Sequence, residues 1–224
     1  MTILSNLDLI RRVSLFTMLT DEQAVTLANV VVKRRFKNGE LLVEQGKKSN
    51  ALYIILAGRV HVVITDERGR EVILSVLTAG DYVGEMSLID NEPHSASVVV
   101  DRQVDALELK REDFIRCVSE NIGVAHSIMY MLVQRLRRAS HKISSLALAG
   151  VYDRVARVLK DSATQNEHGD WIIRDKISRQ EIAKMVGASR EMVSRVIKDY
   201  EERGIVCLLE NGTFQLNTHL IETH

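Results

Sequence analysis

Four side chains in the stretch "SREMVSRVIKDY", Arg190, Glu191, Ser194 and Arg195, combine types and spacing that can read the edges of base pairs. At about 100° per residue they share one arc of a helix with Lys198, while Met192, Val193, Val196, Ile197 and Tyr200 take the other arc. An arginine can donate two hydrogen bonds to guanine O6 and N7, and a glutamate can accept from cytosine N4. The polar residues fall mostly in the first two turns, the part of a recognition helix that meets bases. The plainer alternative is a solvated face, since any exposed helix carries charges outward. The flanking residues weigh against it. Ser178 and Glu181 form an S-x-x-E capping box around Arg179 and Gln180, which starts the preceding helix. Ile182, Met185 and Val186 give that helix a buried face. Gly187 ends it in a left-handed turn, and Ser189 caps the next helix. "IVCLLENGTFQLN" then reads as two strands joined by Asn211-Gly212 as a two-residue turn. Two capped helices followed by a hairpin make a winged helix-turn-helix.

A second constellation lies in "GEMSLIDNEPHSASVVV". Gly84 would let a ligand approach the backbone closely. The N–H groups of Glu85, Met86 and Ser87, at the start of a short helix, suit a phosphate. Glu85 can accept from a ribose hydroxyl. The alternative is that "AGDYVGE" is only a turn between strands. No G-x-S-x-G, P-loop or paired acid and base suggests an enzyme. His61, His94, His126, His141, His168, His219 and His224 show no metal-ligand spacing on one element. Cys117 and Cys207 lie far apart, with no C-x-x-C and no N-terminal cysteine cluster. No metal, haem or iron–sulfur cofactor is expected.

The elements that must hold these residues fall into three regions. Residues 1–120 are expected to form an effector-binding β-roll with flanking helices. Short β-type runs lie between Val32 and Leu109, with turn residues at intervals of roughly ten. Glu67 to Arg70 should turn a hairpin, "SASVVV" and "VDALEL" should add two strands, and a roll or jelly-roll closure would hide their edges. "REDFIRCVSEN" is a short helix. Residues 121–148 form one long helix, on which Ile122, Ala125, Met129, Leu132, Leu136, Ala139, Ile143 and Leu146 recur in steps of three and four. That is the heptad seam of a parallel homodimer, although packing on its own domain would also give an apolar stripe. Residues 149–224 hold the helix "VYDRVARVLKDSA", a short strand in "DWIIRDK", and the winged helix-turn-helix. The fold class is α+β.

Composition limits the partners. The chain has 224 residues, 30 basic and 30 acidic, so its net charge is zero. From Leu148 onward there are eleven Lys/Arg and twelve Asp/Glu. DNA binding would therefore rest on a locally positive face and a twofold pair, and would be strongly salt-dependent. No run of 18 or more apolar residues suggests a membrane span. "MTILSNLDLIRRVSLF" reads as an amphipathic helix rather than a signal peptide, so a cytoplasmic location is expected.

"ISRQEIAKMVGASREMVSRVIKDYEERGIV" resembles the helix-turn-helix of the catabolite activator and fumarate-nitrate regulator (Crp/Fnr) family almost position by position. "GEMSLIDNEPHSASVVV" resembles that family's phosphate-binding cassette, and the heptad helix its dimerisation helix. The likeness covers nearly the whole chain. It implies a dimeric, effector-controlled transcription regulator that works with RNA polymerase. It implies base reading by Arg190, Glu191 and Arg195 at a palindromic TGTGA-type site, with Arg179 and Gln180 on the DNA backbone. Ser178, Ser189 and Ser194 complete the DNA-facing set. For the effector it implies Val83, Gly84, Glu85, Met86, Ser87, Ser95, Ala96, Arg135 and Ser140. Two positions depart from the cyclic AMP-binding pattern. His94 stands where an arginine should pair with the cyclic phosphate, and Ala139 where a threonine should meet adenine. A neutral imidazole cannot replace a bidentate, permanently charged guanidinium. The pocket could then bind cyclic AMP weakly, bind another nucleotide such as cyclic di-GMP, or bind nothing. His94 could equally be an ordinary surface residue. The competing function is a cyclic-nucleotide-binding regulator of a protein partner, against which the base-reading face argues.

Overall fold

The computed structural model describes residues 5–209 and 212–217. The chain divides into two compact units, Met1–Arg137 and Arg138–His224. The division falls inside the long helix, not at either of its ends. His219, His224 and the rest of the C-terminal seven residues lie outside the described residues, as does Asn211.

The first unit opens with helices α1 (Asn6–Arg12) and α2 (Asp21–Val30). Each starts with a reciprocal capping box, Ser5 with Asp8 and Thr20 with Gln23, which satisfies two backbone donors apiece. Six antiparallel strands follow: β1 (Val32–Phe36), β2 (Leu41–Val43), β3 (Ala51–Thr65), β4 (Glu71–Leu77), β5 (Tyr82–Val83) and β6 (Ser97–Lys110). Their order is β1-β6-β3-β4, with β2 added on β6 and β5 on β3. Helix α3 (Glu85–Asp90) interrupts the strands, and α4 (Arg111–Glu120) follows them. Strand β3 serves two cores because successive side chains alternate between faces. Leu52 and Ile54 pack with Leu107, Leu109 and Phe114. Ile55 and Val60 pack with Val98, Val100 and Val104.

The β3–β4 hairpin turns where expected. Asp66 N–H donates to Arg70 O, and the Asp66 carboxylate accepts from the N–H groups of Arg68 and Arg70. Those bonds hold its carboxyl below the usual range. The two strands expected from "SASVVV" and "VDALEL" are one. β6 runs unbroken from Ser97 to Lys110, and its register against β3 shifts between Ile55 and Val60. Register shifts of this kind absorb the irregularity at "DRQ", the residues between the two strands expected.

The long helix α5 spans Ile122–Leu148. Val124 and Ile128 are buried in the first unit's core, with Met131 and Leu132 packed against it. A second apolar face is exposed among the described residues. Ile122 is 83% exposed, Met129 53%, Leu136 68%, Ile143 67% and Leu146 45%. Ala139 is exposed as well, while Ala125 and Leu132 are half-buried. Both explanations of the apolar pattern therefore apply, each to its own face.

The second unit contains α6 (Val151–Ser162), α7 (Arg179–Val186) and α8 (Arg190–Glu202). Its four strands are β7 (Thr164–Gln165), β8 (Trp171–Ile173), β9 (Val206–Leu208) and β10 (Phe214–Leu216), in the order β7-β8-β10-β9. Val155, Leu159, Ile173, Ile182, Val193 and Phe214 form the centre of its core. Burying side chains of this size is worth about 1.5–3 kcal/mol each. Ala183 belongs to the buried face of α7, whereas Met185 is only half-buried. The wing differs from the two-residue turn expected. Leu209 N–H donates to Thr213 O, and Gly212 N–H donates to Leu209 O. Three residues thus separate the last paired positions, and Gly212 takes φ 77.

Candidate DNA-reading and effector sites

Local bonds set the helix-turn-helix. Ser178 Oγ accepts from Glu181 N–H at 3.1 Å, and Ser178 N–H donates to the Glu181 carboxylate at 2.8 Å. Gly187 closes α7 with φ 64 and ψ 45. Ser189 Oγ accepts from Met192 N–H at 3.2 Å and fixes the first turn of α8. Val193, Val196, Ile197 and Tyr200 are buried, and the Tyr200 hydroxyl donates to Tyr152 O at 2.8 Å. The opposite face stands in solvent. Arg190, Glu191, Arg195 and Lys198 are exposed, as are Ser178, Arg179, Gln180 and Ser189, and Ser194 is half-buried. Lys198 faces Glu202 at 3.6 Å. Among the described residues no ion pair engages Arg190, Glu191 or Arg195. Their hydrogen-bonding capacity is therefore available to a partner. One residue departs from the projection: Met192, assigned to the buried arc, is 37% exposed.

The cassette lies in the first unit. Gly84 has φ 100, and a β-carbon there would stand 2.5 Å from Ala51 O. The glycine is thus demanded by its own sheet, a reason separate from ligand access. Val83, Glu85, Ser87 and Ala96 are buried, whereas Met86 and Ser95 are exposed. Glu85, 1% exposed, is paired with Arg135 Nη1. Arg135 also donates to Tyr82 O and stands 5.0 Å over the Tyr82 ring. Burial pushes the Glu85 carboxyl up, and the Arg135 charge opposes that shift. Burial pushes the Tyr82 phenol up to about 12. The Tyr82 and Ser87 hydroxyls are buried and meet no partner among the described residues. The orphaned Ser87 hydroxyl and the Glu85 carboxylate are polar groups of the kind a sugar phosphate would satisfy.

His94 is not a surface residue. It is 8% exposed, with Nε2 2.8 Å from Ser49 Oγ. Its N–H donates to Lys47 O, and its carbonyl accepts from Gly46 N–H. Burial lowers its pKa against the opposing charge of Asp90, which favours the neutral ring. The ring bonds Ser49 while the His94 backbone bonds Gly46 and Lys47, contacts that are too distant in sequence to be read from it. Ala139 and Ser140 lie on exposed turns of α5 in the second unit.

Comparison with known proteins matches both domains. Residues 33–121 match the cyclic nucleotide-binding domain, and residues 153–217 match the Crp-like helix-turn-helix domain. The cAMP-activated global transcriptional regulator Vfr of Pseudomonas aeruginosa is 34% identical over 181 residues, 78% of this chain and 84% of that one. The chain belongs to the Crp/Fnr family. Within that family, the cAMP-activated regulator CRP of Salmonella typhimurium is 34% identical over 176 residues, 77% of this chain and 83% of that one. Among solved structures, the c-di-GMP responsive regulator CLP of Xanthomonas campestris superposes with a TM-score of 0.76 at 25% identity, covering 88% of this chain and 99% of that one. This Crp/Fnr protein is a DNA-binding transcription regulator with a cyclic nucleotide-binding domain. No described helix is long and apolar enough to cross a membrane.

Proposed function

We propose that the protein is a cytoplasmic homodimer that reads a palindromic TGTGA-type site, answers to a cyclic nucleotide and acts with RNA polymerase. The observation that carries this reading is that Arg190, Glu191 and Arg195, at the capped start of α8, are unpaired among the described residues. Arg179 and Gln180 at the start of α7 would grip phosphates, and Ser178, Ser189 and Ser194 would flank them. The uncovered face of α5 supports the pairing of two copies. Selection from random DNA tests base reading. Arg195→Ala should lose on the order of 1–3 kcal/mol of discrimination at one base pair of each half-site. Arg179→Ala should weaken all sequences about equally and flatten the salt dependence. If Arg195→Ala selects the same motif with the same information at every position, Arg195 is not a base reader.

The effector is a cyclic nucleotide, cyclic AMP or cyclic di-GMP, seated in the first unit at Val83 to Ser87, His94 to Ala96 and Arg135. The buried His94 ring, bonded to Ser49, argues against a bidentate pair with the cyclic phosphate. His94→Arg should therefore tighten cyclic AMP binding by about tenfold or more, the worth of a hydrogen bond to a charged group. Calorimetric titration checks it, and an unchanged isotherm would remove His94 from the account. A second reading is a family member that needs no ligand. It is favoured by Arg135, which already satisfies the Glu85 carboxylate.

A further inference from the structure

Met192 is the one apolar residue of α8 that is exposed; Val193, Val196, Ile197 and Tyr200 are each 4% exposed or less. It is the third residue of the helix, and its own N–H is held by the Ser189 cap at 3.2 Å. Its backbone is therefore fixed in the first turn, the part of the helix that enters the groove in the reading above. By helical projection it lies about 60° beyond Arg195, on the flank of the polar face. A helix about 10–12 Å across nearly fills a major groove about 12 Å wide. Side chains on its flank then face the groove wall, not the central base edges. The apolar group that thymine displays in the major groove is its 5-methyl. A phosphate oxygen offers a thioether nothing of comparable value. Methionine is also unbranched and adaptable, so it can reach sideways and fill an irregular gap.

We infer that Met192 is a specificity-determining residue that packs on the 5-methyl group of one thymine in each half-site. The inference rests on α8 being the DNA-reading helix. It adds an apolar contact to the hydrogen-bonding set, and that contact distinguishes thymine from cytosine and from uracil by one methyl group.

The test replaces each thymine of the selected palindrome, one symmetric pair at a time, by deoxyuridine. This removes the methyl and leaves every hydrogen-bonding atom in place. For the parent protein, one substitution should weaken binding by roughly fourfold per half-site, the worth of one buried methyl-sized group. Met192→Ala should bind the thymine and deoxyuridine duplexes equally at that position, while Met192→Leu should keep the difference. The other thymine positions should respond alike in all three proteins. The inference is overturned if the parent shows no thymine preference at any position, or if Met192→Ala retains the parent's preference. A parent that selects no sequence at all would overturn both this inference and the reading of α8 beneath it.

Discussion

Leu136→Glu should turn the proposed dimer into a monomer. Leu136 is 68% exposed in the isolated chain, between Met129 and Ile143 on the uncovered face of α5. In a parallel pair the same residue of each copy meets its counterpart across the seam. The substitution would bury two carboxylates in apolar surroundings, at a cost of several kcal/mol per ion. The dimer dissociation constant should rise by at least about a hundredfold. The fold of each copy should be unaffected, because Val124 and Ile128 point into the core and Leu136 does not. Sedimentation at several concentrations measures the change. Association should partly return near pH 4, where the new carboxyls take up protons. A variant that sediments like the parent would mean that the long helix is not the interface.

Arg135→Met should destabilise the first unit by about 3–5 kcal/mol at pH 7, the usual penalty for removing one member of a buried ion pair. Glu85 would keep its desolvation and lose the charge that opposes it. Its folded-state pKa, already raised, would rise further. A carboxyl raised in the folded state makes that state the stronger proton binder, so stability is highest below the unfolded value and is lost as pH rises through the folded one. The variant should thus differ little from the parent near pH 4 and differ most at neutral pH. Urea unfolding at the two pH values reads this directly. Equal losses at both would assign the effect to the packing of Arg135 over Tyr82, not to charge.

What could be read from sequence was what nearby residues decide. Ser178 with Glu181, Gly187 and Ser189 each act within a few positions, and each is found in the expected role. The β3–β4 hairpin is legible for the same reason, since Asp66 and Arg70 close it themselves. Non-local pairing was not legible. β6 is one strand because β3 runs beside it throughout, and nothing within "DRQVDA" announces that. His94 is buried because residues 46–49 fold over it, about 45 positions away. Met192 is apolar and therefore projected inward, but the core beneath α8 is already filled by Val193, Val196 and Ile197. For the effector site, the sequence supplied residue types without saying that Arg135 and Glu85 would take each other as partners.

Ala51 O occupies the space that a β-carbon on residue 84 would need, and the backbone there has φ 100. A mutation at this position would be purged for damaging the sheet before any effector came into play. A descendant without an effector would still carry Gly84, and the Arg135 ion pair would restrain Glu85 in the same way. Ser95, exposed beside the buried Ala96, is under no such restraint. Over evolutionary time, drift at Ser95 would record the loss of an effector long before the Gly-Glu pair did.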